Sequence, residues 1–217
     1  TYDEFMDAEG HRDWPSIAVY FYRDEWVMGD IEYQQALFEE IYKHQYNPII
    51  FYGQYGSNPR VGIPNMKLSM NHLFGKDELP FDVLINTCKF SFQSLGAQTL
   101  EELKLQGVPI VQGYTIYMDE QSWAADPQGV TPLDVNLSIS QPELDGVIHG
   151  GVVACQTFDE QGHYMYLPVK ERIGAVVQRA IKWSKLRHIP VSERKVAMIL
   201  HNYPPKKSNI GSAAGRE

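Results

Sequence analysis

Cysteine is almost missing from this 217-residue chain: Cys88 and Cys155 are the only two, each inside an apolar stretch. Neither a disulfide framework nor a four-cysteine zinc site can be built from them, so a reducing compartment, the cytoplasm, is the expected setting. Basic charge is scarce as well. Lys plus Arg total 19 against 27 for Asp plus Glu, a formal net charge of −8, which argues against nucleic acid or an anionic membrane as partner because both demand a concentrated basic surface. No apolar run approaches the roughly 18 to 20 residues that span a bilayer, and no membrane span is expected. The sequence lacks G-x-G-x-x-G, G-x-x-x-x-G-K-[ST] and G-x-S-x-G, which leaves nucleotide binding by a standard phosphate loop and serine-hydrolase chemistry unsupported. His149 and His163 have no helical H-x-x-x-H spacing, so a zinc-type cluster is not expected. The chain opens on Thr1 with no charged-then-apolar leader, which disfavours secretion.

What is present is an alternation of short apolar runs with helical patterns. Ile17 to Tyr22 (IAVYFY), Pro48 to Tyr52 (PIIFY), Phe81 to Asn86 (FDVLIN) and Val108 to Val111 (VPIV) read as strands. Between them, Leu37, Phe38, Ile41 and Tyr42 form one helical face, Met66 to Phe74 a weak short helix and Leu100 to Leu105 another. Asp30 is placed to cap the first of these helices. The order βαβαβαβ, with strands apolar on both faces, predicts a doubly wound, mostly parallel α/β sheet of the Rossmann or flavodoxin-like kind flanked by helices. Val135 to Ile139 reads as a further strand or an irregular edge segment, and Val147 to Cys155, with two glycines in a β-branched run, as a strand with a bulge or a close backbone approach. Glu171 to Arg187 carries apolar residues at helical spacing, and Val196 to Leu200 (VAMIL) reads as the last strand.

Ligands of open α/β sheets sit beyond the carboxyl ends of the strands. The residues there are expected to be Arg23, Asp24 and Glu25, then Thr87 and Cys88, then Gln112, Gly113 and Tyr114, and finally His201, Asn202 and Tyr203. Such an edge, rich in donors and acceptors, suits a large hydrogen-bonding ligand better than a metal ion alone. Each residue also has a plain structural role open to it: His201 as a loop anchor, Asn202 and Tyr203 as partners for turn amides, Arg23 as one half of an ion pair. In PELDG, an Asx-type turn with Gly146 at positive φ accounts for Glu143 and Asp145 without chemistry.

The stretch RKVAMILHNYPPKKSNIGSAAG (Arg194 to Gly215) resembles a pattern of the large subunit of cobaltochelatase and its relative, the H subunit of magnesium chelatase: a strand, H-N-Y-P, a short basic linker, then I-G and small residues. YRDEWVMGDIEYQQALFEEI, FDVLINTCKFSF, LQGVPIVQ, QPELDG and KERIGAVVQRAIKWSKLR resemble further pieces of that family in the same order. The resemblance implies insertion of a divalent metal, Co2+ or Mg2+, into a corrin precursor or porphyrin, with ATP hydrolysed only by separate AAA+ partner subunits. The His201-Asn202 pair leans toward the cobalt branch. It further implies a piece of a longer protein that is inactive by itself, with residues 1–192 as an α/β domain and 193–217 as the first strand and loop of the next. His201, Asn202, Tyr203 and Arg23 are the expected tetrapyrrole-binding residues, His201 being also the candidate for metal contact or catalysis. Glu143, Asp145 and Trp183 match family motifs in turn and helix and are expected to be structural. Two other roles stay open: a stand-alone module binding a tetrapyrrole or other small ligand, and a docking domain for the AAA+ partners.

Overall fold

A computed structural model describes residues 2–54, 58–75, 79–92, 100–101 and 103–198. The chain divides into two compact units, Thr1–Arg187 and His188–Glu217. In the first, α1 (Tyr2–Ala8) precedes β1 (Ser16–Tyr22), α2 (Arg23–Met28), α3 (Glu32–Lys43), β2 (Asn47–Gly53), α4 (Met66–Phe74) and β3 (Val83–Asn86). Residues 100–101 and 103–105 are helical. Then come β4 (Ile110–Ile116), α5 (Glu120–Ala125), a helical segment α6 at 132–143, β5 (Ile148–Phe158), β6 (Tyr164–Pro168) and α7 (Lys170–His188).

The six strands form one sheet in the order β2-β1-β3-β4-β5-β6. β1 to β5 run parallel, and β6 folds back antiparallel on β5. This is the expected doubly wound sheet, in its flavodoxin-like order with an added antiparallel edge. The reason is legible in β1. Side chains alternate across a strand, and here Ile17 and Val19 join the core beneath α3 and α7 while Ala18 and Tyr20 join the core beneath α4. A strand apolar on both faces needs cover on both, and right-handed crossover helices supply it. In α7 the buried set Ile173, Val176, Val177, Ala180, Ile181 and Ser184 recurs at helical spacing, and each fully buried aliphatic side chain contributes on the order of 1.5–3 kcal/mol.

Several expectations need correction. Asp30 does not cap α3, whose N-cap is Ile31 without a side-chain bond. Its carboxylate instead accepts the backbone N–H of Tyr166 at 3.0 and 3.1 Å, because the antiparallel β6 brings an unpaired amide to it. Val135 to Ile139 is neither strand nor edge: Val135–Ser140 is a π-helical turn inside α6, started by Thr131 accepting from Asp134 N at 3.1 Å with Pro132 in the first turn. Of the strand expected at Val196 to Leu200, residues 196–198 form no strand, Val196 and Met198 being 88% and 81% exposed, while 199–200 lie outside the described residues. An apolar run becomes a strand only against a partner edge, so apolar composition alone does not make one. The bulge expected in β5 is present: its pairing with β4 shifts register at Gln112/Gly113 and again at Tyr114/Thr115. A Cβ on Gly150 would lie 2.4 Å from the Gln112 carbonyl oxygen, the close approach that the glycine permits.

Candidate functional site

The strand order reverses between β1 and β3, and the carboxyl ends of such strands diverge into a crevice. A cleft of about 400 Å³ lies there. Tyr22, Asp24, Glu25 and Met28 reach it from the end of β1 and α2, Asp30 from the next loop, Lys89 and Phe90 from the turn after β3, Thr115 from β4 and Tyr117 just past it, Gln156 from β5, and Tyr164 and Tyr166 from β6. Its walls are largely aromatic and its floor is ionisable.

Glu25 is only 8% exposed. Its Oε2 accepts from the Tyr33 hydroxyl and from Gln34 Nε2, both at 2.6 Å, while the Tyr33 oxygen also lies 3.0 Å from Thr87 Oγ1. Burial raises the Glu25 carboxyl to about 8, against the pull of the Tyr33 hydrogen bond, and Asp30 adds to the rise. Burial brings Lys89 down to about 8, with Asp134 and Glu25 holding it back. The Lys89 ammonium sits 3.3 Å from the centre of the Tyr117 ring and donates to the Tyr166 hydroxyl at 3.2 Å, a cation–π contact of the desolvated kind. Burial, and then the Glu25 charge, keeps the Cys88 thiol well above its usual range, so it stays protonated.

The turn that delivers Lys89 is held by amides. Asn86 Nδ2 donates to Gln112 Oε1 at 2.7 Å and to the Cys88 carbonyl at 3.1 Å, and Gln112 Nε2 donates to the same carbonyl at 2.8 Å. Past it, Phe90 takes φ 67°, its N–H donating to Leu137 O in the π turn at 2.7 Å. Asp145 accepts from Ser91 Oγ at 2.7 Å and from the Phe92 N–H. It therefore does more than close the PELDG turn, in which Gly146 has φ 78° as expected: it pins the segment after β3.

Of the residues picked out from the sequence, Glu25 and Asp24 line the cleft, and Thr87 and Cys88 lie beneath it. Arg23 opens α2 with its guanidinium 3.8 Å from Asp24 Oδ1. Gln112, Gly113 and Tyr114 do not follow β4 but lie within it, since the strand runs on to Ile116; the Tyr114 hydroxyl meets His149 Nδ1 at 2.8 Å. His149 also lies 3.6 Å from Glu143. Trp183 is 36% exposed on α7. His201, Asn202 and Tyr203 lie outside the described residues. Lys89, Tyr117, Tyr164 and Tyr166 escaped the sequence reading. Lys89 stands one place beyond the Thr87-Cys88 pair, and YMYLP after an Asp-Glu-Gln-Gly turn carries the aromatic alternation of a hairpin strand. Among the described residues no three His, Cys, Asp or Glu side chains are grouped to hold a metal ion, and no helix is long and apolar enough to cross a membrane.

The family model for CobN/Magnesium Chelatase matches residues 1–216. The chain belongs to the CobN/magnesium chelatase family. Several of its relatives are similar at moderate identity. An uncharacterised protein of Methanocaldococcus jannaschii is 29% identical over 94% of this chain and 17% of its own length. The aerobic cobaltochelatase CobN protein of Pseudomonas aeruginosa is 30% identical over 61% of this chain and 11% of its own. The H subunit of magnesium chelatase from Rhodobacter capsulatus is 29% identical over 53% of this chain and 11% of its own. Among solved structures, the catalytic subunit of cobaltochelatase from Mycobacterium tuberculosis superposes with a TM-score of 0.71 at 25% identity, over 92% of this chain and 16% of that one. The chain thus spans less than a fifth of the length of each of these relatives.

Proposed function

We propose that this chain is a portion of the large, tetrapyrrole-binding subunit of a metal chelatase that inserts a divalent metal, cobalt in preference to magnesium, into a corrin precursor or porphyrin. The observation that carries the reading is the aromatic-walled, ionisable cleft at the strand-order switch point, in a chain that the family model matches from end to end. Flat π surfaces such as those of Tyr117, Tyr164 and Phe90 stack on a planar macrocycle, and about 400 Å³ admits an edge of one rather than the whole.

Insertion requires the metal to shed water and two pyrrole N–H protons to leave, so that the charge of the incoming dication is balanced by the two protons released. Carboxylate and imidazole groups suit the proton step, and oxygen or nitrogen donors suit the metal. In this reading His201, Asn202, Tyr203 and Arg23 contribute to the macrocycle wall, with His201 as the candidate for transient metal contact. Residues 1–192 form the α/β domain and 193–217 begin the next. AAA+ partner subunits in the cytoplasm supply ATP hydrolysis, and this portion alone does not catalyse insertion.

The test is titration of the protein with deuteroporphyrin IX, followed by absorbance. A saturable shift of the main porphyrin band, weakened by His201→Ala, is expected. No spectral change at high micromolar porphyrin overturns the macrocycle wall and leaves the docking role.

A further inference from the structure

The buried carboxylate of the cleft has bonding capacity that is unspent. Oε2 of Glu25 takes two donors at 2.6 Å, whereas Oε1 has no hydrogen-bond partner among the described residues and is not among the sealed-in orphan atoms. The residue is nine-tenths buried, yet it lines the cleft, so Oε1 is the part that the cleft reaches. A carboxyl oxygen can accept two hydrogen bonds, so Oε1 has room for a donor that the cleft admits. Among the described residues, the single cation lining the cleft does not offer itself to a ligand anion, because the Lys89 ammonium is engaged by the Tyr117 ring and the Tyr166 hydroxyl. Asp30 is spent on the Tyr166 backbone amide. Among the charged groups that line the cleft, the free bonding capacity is therefore that of an acceptor.

We propose that Glu25 Oε1 is the anchor of this cleft, accepting a hydrogen bond from an N–H group of a planar nitrogen heterocycle stacked between the tyrosines. This deepens, and rests on, the reading of the cleft as a macrocycle wall. The acceptor strength of the anchor depends on its ionisation. The groups that face Glu25 are Tyr33 from α3, Asp30 from the preceding loop, Cys88 and Lys89 from the end of β3, and Tyr166 from β6. Of these, Lys89 changes charge in the same range, and it would act on any ring whether or not that ring carries N–H.

The experiment compares two planar probes of the same outline: carbazole, which carries an N–H at its rim, and fluorene, which carries a CH2 group there and no N–H. The wild-type protein is expected to prefer carbazole by about tenfold, the worth of one hydrogen bond to a charged acceptor, with the preference growing from pH 6.5 to pH 9. Glu25→Gln keeps an oxygen for Tyr33 and Gln34 but turns an NH2 toward the cleft. It should abolish the preference and its pH dependence while binding fluorene as the wild type does, which also reports that the variant is folded. A preference unchanged in Glu25→Gln overturns the anchor and leaves the macrocycle wall standing. Equal loss of both probes overturns it too, since Glu25 would then serve shape alone. If neither probe binds the wild-type protein, the wall and the anchor fall together.

Discussion

The two ends of the same parallel strands treat buried polar groups in opposite ways. At the amino end they are used up. Asn47, 1% exposed, donates to the carbonyls of His11 and Trp14 at 2.8 and 2.9 Å and accepts from the His11 N–H at 2.9 Å. Ser184 donates to Asp82 at 2.7 Å, and Arg187 donates to the carbonyls of Phe81, Asp82 and Gln106. Each bond ties one chain segment to another. At the carboxyl end Glu25 keeps an oxygen in reserve, Gln34 Oε1 is an orphan, and burial shifts Glu25 and Lys89 toward one another. One end is stapled for stability; the other bears a cost in stability at a place where a ligand can repay it.

Five substitutions, in four predictions, probe that contrast. The largest effect is expected for Asn47→Ala, which strands two carbonyls and an amide at the amino end: about 3–5 kcal/mol of stability lost in urea titration, with porphyrin affinity of the folded fraction unchanged. A loss of affinity as large as the loss of stability would break the division of labour. Gly150→Ala comes next, at about 2–3 kcal/mol, because the new methyl meets the Gln112 carbonyl oxygen. Here binding should fall too, since Gln112 holds the turn that places Lys89.

The third prediction concerns pH. Glu25 is raised from 4.5 to about 8, so the native state binds the proton more tightly than the unfolded one and stability falls as pH rises from 4.5 to 8. Lys89 is lowered from 10.5 to about 8, so its cost is felt below 10.5, and the stability it withholds returns as pH climbs from 8 to 10.5. Together the two contributions give a minimum of melting temperature near pH 8. Glu25→Gln should remove the acid-side descent and Lys89→Met the alkaline-side recovery; a profile in which neither variant differs from wild type would refute the contrast on its electrostatic side. Smallest is Arg23→Ala, expected to cost about 0.5 kcal/mol or less by thermal melting, because its pair with Asp24 is long and partly exposed.

The sequence was most readable where periodicity is strict. The long helix ending at His188 stands within a residue of its expected bounds because its apolar spacing admits one solution, whereas the weaker pattern at Met66–Phe74 is helped by the Asn65 cap. Asp30 and the run 135–139 were misread for a shared reason: a carboxylate near a helix start and a β-branched run have two local outcomes each, and a distant partner chose between them, Tyr166 for the first and Phe90 for the second. Of the site, Glu25 was visible as a residue just past a strand. Its special state was not visible, since that depends on Tyr33, Gln34 and Lys89 closing over it.

By itself the amino-acid sequence determined the layer pattern: apolar alternation on both faces of the strands demands helices on both sides, and few arrangements of short crossovers satisfy that demand. It also carried the ordered motifs that place the chain in its family. Only the tertiary structure decided which polar residues would be starved of water and partners. Burial and hydrogen-bond saturation are properties of contacts between segments far apart in the chain, such as Tyr22 with Lys89 and Asp30 with Tyr166. A one-dimensional pattern holds no record of which of two identical carboxylates will face solvent and which will close a cleft.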